Sequence, residues 1–382
     1  MRHFILLFLS SGILLHAQQT GNNWHWSVQG YVKYLNTVNF HDADTFYTDN
    51  LWHPRLDFKG YYRDTWTFAL SSRNRILYGD RLKNPLFDRE ILDTDTGVAD
   101  LSFLPVNRDN LLVSSVFDRL YLQYSSGKWN LRVGRQRINW GINTVWNPND
   151  IFNTSNYLDW DYEEKPGSDA VRLHLDTGGM SSIEGVYKAE KPDGKRVDTY
   201  ALRYQFNLWQ YDFQCLGAVV DSRLVAGIGW AGSIGDAGFK GEWSYFSGQD
   251  ERGIWAGSIS WDYAFQKGTN LLVSGLYNGG YQEDSSPVLM LSGERLQARN
   301  LFPSEYAVLG QWSGDIGAPW RWSISGIYGN AHDMFILIPQ LDYSLKDNWD
   351  LSLYGQSFFA GIPGYKQWNF VTFRLRWSFS GG

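Results

Sequence analysis

The stretch WNFVTFRLRWSF, residues 368–379, alternates between large apolar side chains and polar ones. The apolar residues at every second position from Phe373 to Phe379 fall on one side of an extended chain, and Arg374 and Arg376 fall on the other. A period of two residues predicts a β-strand. Taken alone, this alternation fits a strand of a soluble sandwich and a strand of a membrane barrel equally well.

The same period recurs along the chain, and no comparable helical period is found after residue 17. The segments are DRLYLQY (118–124), KWNLRV (128–133), AVRLHLD (170–176), YDFQCLG (211–217), FKGEWSYF (239–246) and WDLSLYG (349–355). The chain has 19 Trp, 23 Tyr, 22 Phe and 39 Gly but 11 Pro. Aromatic rings pack well on pleated sheets and Gly relieves crowding there, so the composition also predicts an all-β protein.

The connections between strands decide between a sandwich and a barrel. Eight short turns are expected near 63–64, 125–127, 177–179, 207–208, 235–237, 266–268, 314–315 and 346–347. Much longer connections, far above the usual loop length, are expected around 77–116, 138–168 and 280–304. Short turns at one end and long loops at the other are typical of a transmembrane antiparallel up-and-down β-barrel with long extracellular loops, here with about 18 strands, 16 being acceptable.

The first residues predict export. A basic start, Arg2 and His3, is followed by an apolar run and by Ala17, which indicates a cleaved signal peptide over residues 1–17. Residues 18–382 are then expected to form one outer-membrane barrel, placing the protein in the cell outer membrane. The lone Cys215 cannot form an internal disulfide. A net charge of -6 argues against nucleic acid as a partner.

Two segments resemble those of known proteins. The last strand, with Phe379 near its end, resembles the terminal aromatic strand that Gram-negative barrels offer to the barrel-insertion machinery, although residues 380–382 follow it. GRQRINWG (134–141) followed by NPND (147–150) resembles a Gly-Arg-Gln, Trp-Gly, Asn-Pro pattern of porin-like outer-membrane barrels of largely unknown substrate, broadly akin to alginate-export channels. The resemblance implies a Gram-negative outer-membrane barrel and leaves the substrate open.

If the apolar positions face lipid, the alternate positions line the lumen. The basic residues predicted to line it are Lys33, Arg55, Lys59, Arg73, Arg75, Arg119, Arg132, Arg172, His174, Arg203, Arg374 and Arg376. The acidic inward set is shorter: Asp57, Asp176, Glu184, Asp212, Glu242 and Asp262. Such a wall would concentrate anions and discourage cations. Alternatively, the arginines pair with acidic loops that fold inward and hold them there.

The segment after Gln136 is expected to leave the sheet. From about residue 138 to 167 the alternation stops, and Asn side chains favour local bonds to the backbone over a sheet ladder. The hypothesis is that this loop folds inward as a constriction. Its predicted residues are Trp140, Trp146, Asn147, Asn149 and Asp150. Aromatic rings with Asn suit sugar rings, and they equally suit a loop packed on itself.

Three further patterns are discounted as sites. GIGWAG (227–232) matches a dinucleotide fingerprint, but it lies inside an alternating strand, where small residues relieving a crowded wall explain it better. DTDTG (93–97) offers oxygens at alternate positions but lacks the remaining ligands of a calcium loop, so no metal site is assigned; a loop-bound calcium that also uses NPND (147–150) or DWDYEE (159–164) is left open. The histidines after residue 17 are scattered and no serine lies in a nucleophile elbow, so no catalytic residue and no cofactor are expected.

The leading functional prediction is an outer-membrane channel for passive diffusion of small hydrophilic solutes, anionic or sugar-like, with outer-membrane lipid and the insertion machinery as its other partners. The alternative is a barrel plugged by its own loops that serves surface-polymer export, assembly or adhesion. A third, an outer-membrane hydrolase with His174 as its candidate, is disfavoured because no nucleophile and base pair is evident. The oligomeric state is left unassigned.

Overall fold

The structure is a computed structural model that describes residues 23–40, 46–83, 95–153, 166–248, 252–282, 296–361 and 367–381. The predicted signal peptide lies outside these residues. In the described ranges, no helix is both long and apolar enough to cross a membrane.

The described residues form one antiparallel sheet that closes on itself. Its strands are β1 (Trp24–Phe40), β2 (Phe46–Tyr62), β3 (Trp66–Gly79), β4 (Ser102–Arg108), β5 (Leu111–Ser126), β6 (Trp129–Gln136), β7 (Ser168–Gly178), β8 (Ser181–Glu190), β9 (Val197–Leu208), β10 (Tyr211–Val220), β11 (Arg223–Ile234), β12 (Ala237–Phe246), β13 (Ile254–Ala264), β14 (Thr269–Asn278), β15 (Tyr306–Asp315), β16 (Trp320–Gly329), β17 (Met334–Lys346), β18 (Trp349–Phe359) and β19 (Trp368–Gly381). Each strand pairs with its neighbour, except that β3 pairs with β5, and β19 returns to pair with β1. The prediction of a closed all-β barrel of 18 strands is confirmed, β4 being the additional strand.

β4 extends the sheet beside the first residues of β5. Residues 112–117 of β5 pair with β3 along one edge, and residues 111–116 pair with β4 along the other. β6 pairs with β5 only over residues 120–126, so β4 takes over as the neighbour of β5 beyond the end of β6. The chain that follows Gln136 is therefore free to turn away from the sheet.

The two ends of the barrel differ as predicted. One end carries short turns, at 63–65, 127–128, 179–180, 209–210, 235–236, 265–268, 316–319 and 347–348, each within a few residues of its expected position. The opposite end carries the long connections 80–110, 137–167 and 279–305. It also holds one two-residue turn, Asp221 and Ser222, both with positive φ, so not every connection at that end is long.

The two faces of the sheet differ in polarity. On β11 the side chains of Leu224 and Ile228 are 64% and 52% exposed, whereas the intervening Val225 is buried. The exposed apolar set continues around the barrel, so the outer face is suited to hydrocarbon. The inner face is polar over much of the circumference, and the fully buried Gln214 and Glu242 both lie on it.

One arc of the inner face is apolar and forms the main core. Inward residues of β14–β18, among them Leu309, Ile327 and Ile336, pack against Val145 and Trp146 from the 137–167 connection and against residues 301 and 302 from the 279–305 connection. Apolar side chains on the inside of a wide barrel need cover from water, and these two connections supply it. This core therefore lies within the lumen, and a second apolar cluster, around Ile138 and Trp140, covers the inner faces of β7, β8 and β10–β13.

Candidate functional site: the lumen and the segment that crosses it

Residues 137–153, here called the crossing segment, lie inside the barrel. Trp140 Nε1 donates a hydrogen bond to Glu184 Oε1 of β8 at 2.5 Å, and Gln214 Nε2 of β10 donates to the Trp140 carbonyl at 2.6 Å. Farther along, Ser258 Oγ of β13 donates to the Trp146 carbonyl at 2.8 Å. The segment thus reaches from the end of β6 across the inner faces of β8 to β13.

Glu242 of β12 is the centre of this contact. Its carboxylate accepts backbone hydrogen bonds from Ile142, from Asn143 at 2.7 Å and from Asn149 at 2.9 Å. The side chain is fully buried. Asn143 also donates from Nδ2 to Ser258 Oγ at 2.8 Å. A single inward carboxylate therefore binds both ends of residues 142–149.

Two glycines of β11 make room for Asn149. Its Nδ2 donates to the Ile228 carbonyl at 2.9 Å, and its Oδ1 accepts from Ser244 Oγ at 2.6 Å. A Cβ at Gly227 would lie 2.6 Å from Asn149 Oδ1, and one at Gly229 would lie 3.0 Å from Nδ2. The glycines of GIGWAG do relieve crowding: at Gly227 and Gly229 it comes from the crossing segment as well as from wall side chains, and at Gly232 it comes from the Tyr211 ring of β10.

Both tryptophans of the crossing segment are buried. Trp140 stacks edge-on against Phe152, with ring centroids 4.9 Å apart, and the Arg203 guanidinium lies 5.2 Å from the Trp140 ring. Trp146 packs against Phe302 within the apolar core. The expectation that these indoles offer open faces to a solute is wrong, because the ring faces are already covered, and the self-packed alternative describes the segment better.

The other predicted residues of the constriction differ in exposure. Asn149 and Asp150 are fully buried, whereas Asn147 is partly exposed and its side chain lies against Gly141. Of the five predicted residues, Asn147 is thus the one with a partly exposed side chain. The other four are buried and pack within the segment or against the wall.

The twelve basic residues predicted to line the lumen lie on β1–β3, β5–β7, β9 and β19, and none of them is exposed. These strands are contiguous around the barrel, except that β8 separates β7 from β9. We call these twelve residues the cationic wall. The wall faces the apolar arc of β14–β18 across the lumen.

Several members of the cationic wall stand directly opposite one another. Three cross-strand partners carry like charge: Lys33 with Arg376, Arg55 with Arg73, and Arg132 with Arg172. Like charges at paired positions destabilise a sheet, so this register works against folding unless anions reside beside it.

Carboxylates on the barrel strands neutralise part of the wall. Arg55 binds Asp57 at 2.9 Å and Asp118 at 2.6 Å. Asp118 was missed by the alternation because a register shift near Ser71 places two successive β5 residues, Asp118 and Arg119, in buried positions. Both partners of Arg55 lie on barrel strands, whereas an acidic loop, as the alternative prediction has it, supplies Asp95 to Arg135.

Glu184 is shared by several cations. Its Oε2 lies 2.5 Å from Arg172, 3.4 Å from Arg203 and 3.4 Å from Nδ1 of His174, while Oε1 accepts from Trp140. One carboxylate thus joins the wall to the crossing segment.

Arg132 is held differently, by neutral groups. Its Nε donates to Gln123 Oε1 at 2.8 Å, and its guanidinium lies 4.4 Å from the Tyr121 ring centroid. The charge is therefore fixed in the lumen, and among the described residues Arg132 forms no ion pair.

Arg135, the arginine of the Gly-Arg-Gln pattern, was not among the predicted site residues. It is buried and binds Asp169 at 2.7 Å, Asp95 and the Ala99 carbonyl. Asp95 also accepts from the backbone of Gly97 at 2.8 Å. This cluster ties residues 95–101 to the ends of β6 and β7, where the crossing segment begins.

The Asp95 contacts also bear on the DTDTG stretch. The Asp95 carboxylate accepts hydrogen bonds from Arg135 and from backbone amides rather than binding a metal. Residues 93 and 94 lie outside the described ranges. Within the described part of the chain, no group of three or more His, Cys, Asp or Glu side chains is arranged to hold a metal ion.

No family model matches the chain, and no curated protein matches it. Solved structures do share its fold. Acinetobacter baumannii OccAB4 superposes with a TM-score of 0.57 at 12% identity, covering 93% of this chain and 98% of that one. A BenF-like porin from Pseudomonas fluorescens Pf-5 gives 0.57 at 12% identity, covering 94% and 99%. Pseudomonas aeruginosa OpdK, solved with vanillate, gives 0.55 at 9% identity, covering 92% and 98%.

The chain has the fold of these outer-membrane porins. The expected kinship with alginate-export channels is not supported, because these matches are to Occ, Opd and BenF-like porins.

Proposed function

We propose that the protein is an outer-membrane channel for passive diffusion of small hydrophilic solutes, with a preference for anions. The observation that carries this proposal is the like-charge register of the cationic wall: Lys33 opposite Arg376, Arg55 opposite Arg73 and Arg132 opposite Arg172. Such pairs destabilise the sheet. They are useful in a channel that conducts anions, because paired positive charges attract anions into the lumen.

The size and surface of the barrel support this proposal. Barrels of this strand number enclose water, in contrast to eight-stranded ones, whose interiors are filled by side chains. The apolar outer face suits membrane lipid. Among the proteins of the same fold, OpdK was crystallised with vanillate, a carboxylate. We extend the proposal to a single barrel over residues 18–382, delivered by a signal peptide over residues 1–17 and inserted through its C-terminal strand.

The crossing segment narrows the lumen in this proposal. Because it occupies the side of β8 to β13 and its tip covers the apolar arc, solutes would pass between it and the cationic wall. Asn147, partly exposed on the segment, would face that passage.

The test is the reversal potential of the purified protein in a planar bilayer under a salt gradient. Anion preference is expected, and Arg132→Gln should reduce it, since the bonds of Arg132 among the described residues are to neutral groups and its charge can be removed without breaking an ion pair there. Lys267→Gln is the matched control, because Lys267 is exposed in the turn between β13 and β14. A cation preference, or equal effects of the two variants, would contradict the proposal.

A second candidate is a barrel plugged by its own loops that serves polymer export, assembly or adhesion. The apolar core inside the lumen favours it, since the crossing segment fills one side. If wild-type protein that is folded and inserted in a planar bilayer shows no conductance, that result would support this candidate.

We propose that the protein is not an enzyme. His174, the candidate for hydrolysis, contacts Glu184, which is already shared with Arg172 and Arg203. That arrangement suits a pore-lining group better than a general base, whose carboxylate partner orients it alone.

A further inference from the structure

Glu242 differs from three other inward carboxylates in what compensates its charge. Asp57 and Glu184 have arginine partners, and Asp262 lies 3.5 Å from Lys240. Among the described residues, none offers Glu242 an ion pair; its carboxylate accepts three backbone N–H groups of the crossing segment instead. A buried carboxylate without such donors is costly, so the charge and the segment stabilise each other.

The three donors come from the two ends of a loop. Ile142 and Asn143 bind Oε1, and Asn149 binds Oε2, so the carboxylate closes residues 142–149 into a ring. Val145 and Trp146 lie at the far side of that ring and enter the apolar core. Holding the ends at Glu242 therefore also fixes the tip against β14–β18.

The neighbouring wall is shaped for the same loop. Ser244 and Ser258 bond to it, and the glycines at 227 and 229 leave space for Asn149. Four adjacent strands, β10 to β13, thus supply contacts to one segment, and Glu242 supplies the most.

We propose that Glu242 is a positioning residue whose carboxylate fixes the crossing segment within the lumen and so sets the open cross-section of the channel. Removing the carboxylate leaves three buried N–H groups without an acceptor, and the crossing segment should therefore detach from the inner face of β12. The strand itself persists, because the ladders of β12 with β11 and β13 do not use the side chain. The conductance arm of the test rests on the proposed function, and the labelling arm does not.

The experiment compares Glu242→Ala and Glu242→Gln in a Cys215→Ser background that also carries Val145→Cys. Val145 is 5% exposed, so its thiol should react slowly with a water-soluble thiol reagent while the segment is seated. With Glu242→Ala the labelling rate should rise about tenfold or more, because three hydrogen bonds to a charged acceptor are lost. Glu242→Gln should lie between, since its amide N–H₂ would face the Asn149 N–H, donor to donor. Single-channel conductance, measured without Val145→Cys, should rise in the same order.

Asp262→Ala and Asp262→Asn are the matched controls. Asp262 is an inward carboxylate on the adjacent strand β13, and its ion pair is with Lys240 rather than the crossing segment. Both should label as slowly as the parent. Heat-dependent gel mobility verifies that each barrel is closed.

The outcomes separate the two proposals. Faster labelling in the Glu242 variants with a silent wild-type channel supports the positioning role and refutes the proposed function. A conducting wild type whose labelling and conductance are unchanged by closed-barrel Glu242→Ala overturns the positioning role alone. If neither Glu242 variant closes, Glu242→Asp keeps the charge but withdraws the carboxylate by one methylene from the amides of Asn143 and Asn149; faster labelling in that variant supports the role and unchanged labelling overturns it.

Discussion

Alanine at Gly227 should unseat the crossing segment, whereas alanine at Gly217 should not. The two glycines lie in register one position apart on paired strands, Gly227 opposite Leu216 and Gly217 opposite Ala226. Gly227 faces inward, where a Cβ would meet Asn149 Oδ1 at 2.6 Å and Ser244 Oγ at 3.0 Å. A Cβ at Gly217, which faces outward, meets nothing within 4 Å.

The expected size follows from these contacts. Ordinary van der Waals contact begins near 3.4 Å, so Asn149 must retreat by the difference from 2.6 Å, about 0.8 Å. Its bonds to the Ile228 carbonyl and from Ser244 would be lost, at about 1 kcal/mol each. Overpacking costs about 1–3 kcal/mol where the neighbours cannot yield. Together, the two lost bonds and the overpacking mean that Gly227→Ala should disfavour the seated segment by about 3–5 kcal/mol.

For the control variant, Gly217→Ala, the expected change in stability has the opposite sign. Alanine loses less backbone entropy than glycine on folding, which is worth about 0.5–1 kcal/mol in a strand. Gly217→Ala should therefore be neutral or slightly stabilising.

The assay is the unfolding of both variants in detergent with increasing guanidinium, followed by tryptophan fluorescence, together with thiol labelling at Val145→Cys. Trp140 and Trp146 are buried in the seated segment, so their fluorescence reports its release. Gly227→Ala should show an early transition and fast labelling. Equal unfolding transitions and equal labelling rates of the two alanine variants would refute the claim that Gly227 makes room for Asn149.

Three further outcomes are expected. Glu184→Gln removes the carboxylate shared by the wall, so the reversal potential should shift further towards anions while Arg172 stays in place; an unchanged potential would place this cluster outside the ion path. Trp140→Phe deletes one hydrogen bond to that carboxylate and keeps most of the ring, so the free energy of unfolding should fall by about 1.5–3 kcal/mol in denaturant titrations, and no loss would contradict the bond. Arg135→Ala leaves the partly buried Asp169 and Asp95 side chains uncompensated, which should cost about 3–5 kcal/mol in the same titration, more than Arg63→Ala at the exposed turn.

The alternation in the sequence was sufficient to predict the strands, because the side-chain period of a strand depends only on local geometry, and the lengths of the connections then predicted the barrel. It placed Lys33, Arg55 and Arg376 on strands whose inner faces the structure does make polar. It could not place Asp118, since the shift that brings Asp118 and Arg119 inside together arises from pairing with β3.

The site inside the barrel was less accessible to the same reasoning. The sequence indicated that the chain leaves the sheet after Gln136, where the alternation ends. It could not show that Trp140 would meet Glu184, or that Glu242 would accept amides about one hundred residues away. Nor could it show that the glycines of GIGWAG serve Asn149.

The sequence alone thus determined the class of fold, the end with short turns and the composition of each face, all of which depend on residues close together in the chain. Only the tertiary structure decided which charges stand opposite one another, which carboxylates neutralise them and where the crossing segment sits. The physical reason is closure: once β19 pairs with β1, side chains distant in the sequence must share one confined space, and their hydrogen bonds and ion pairs are settled there.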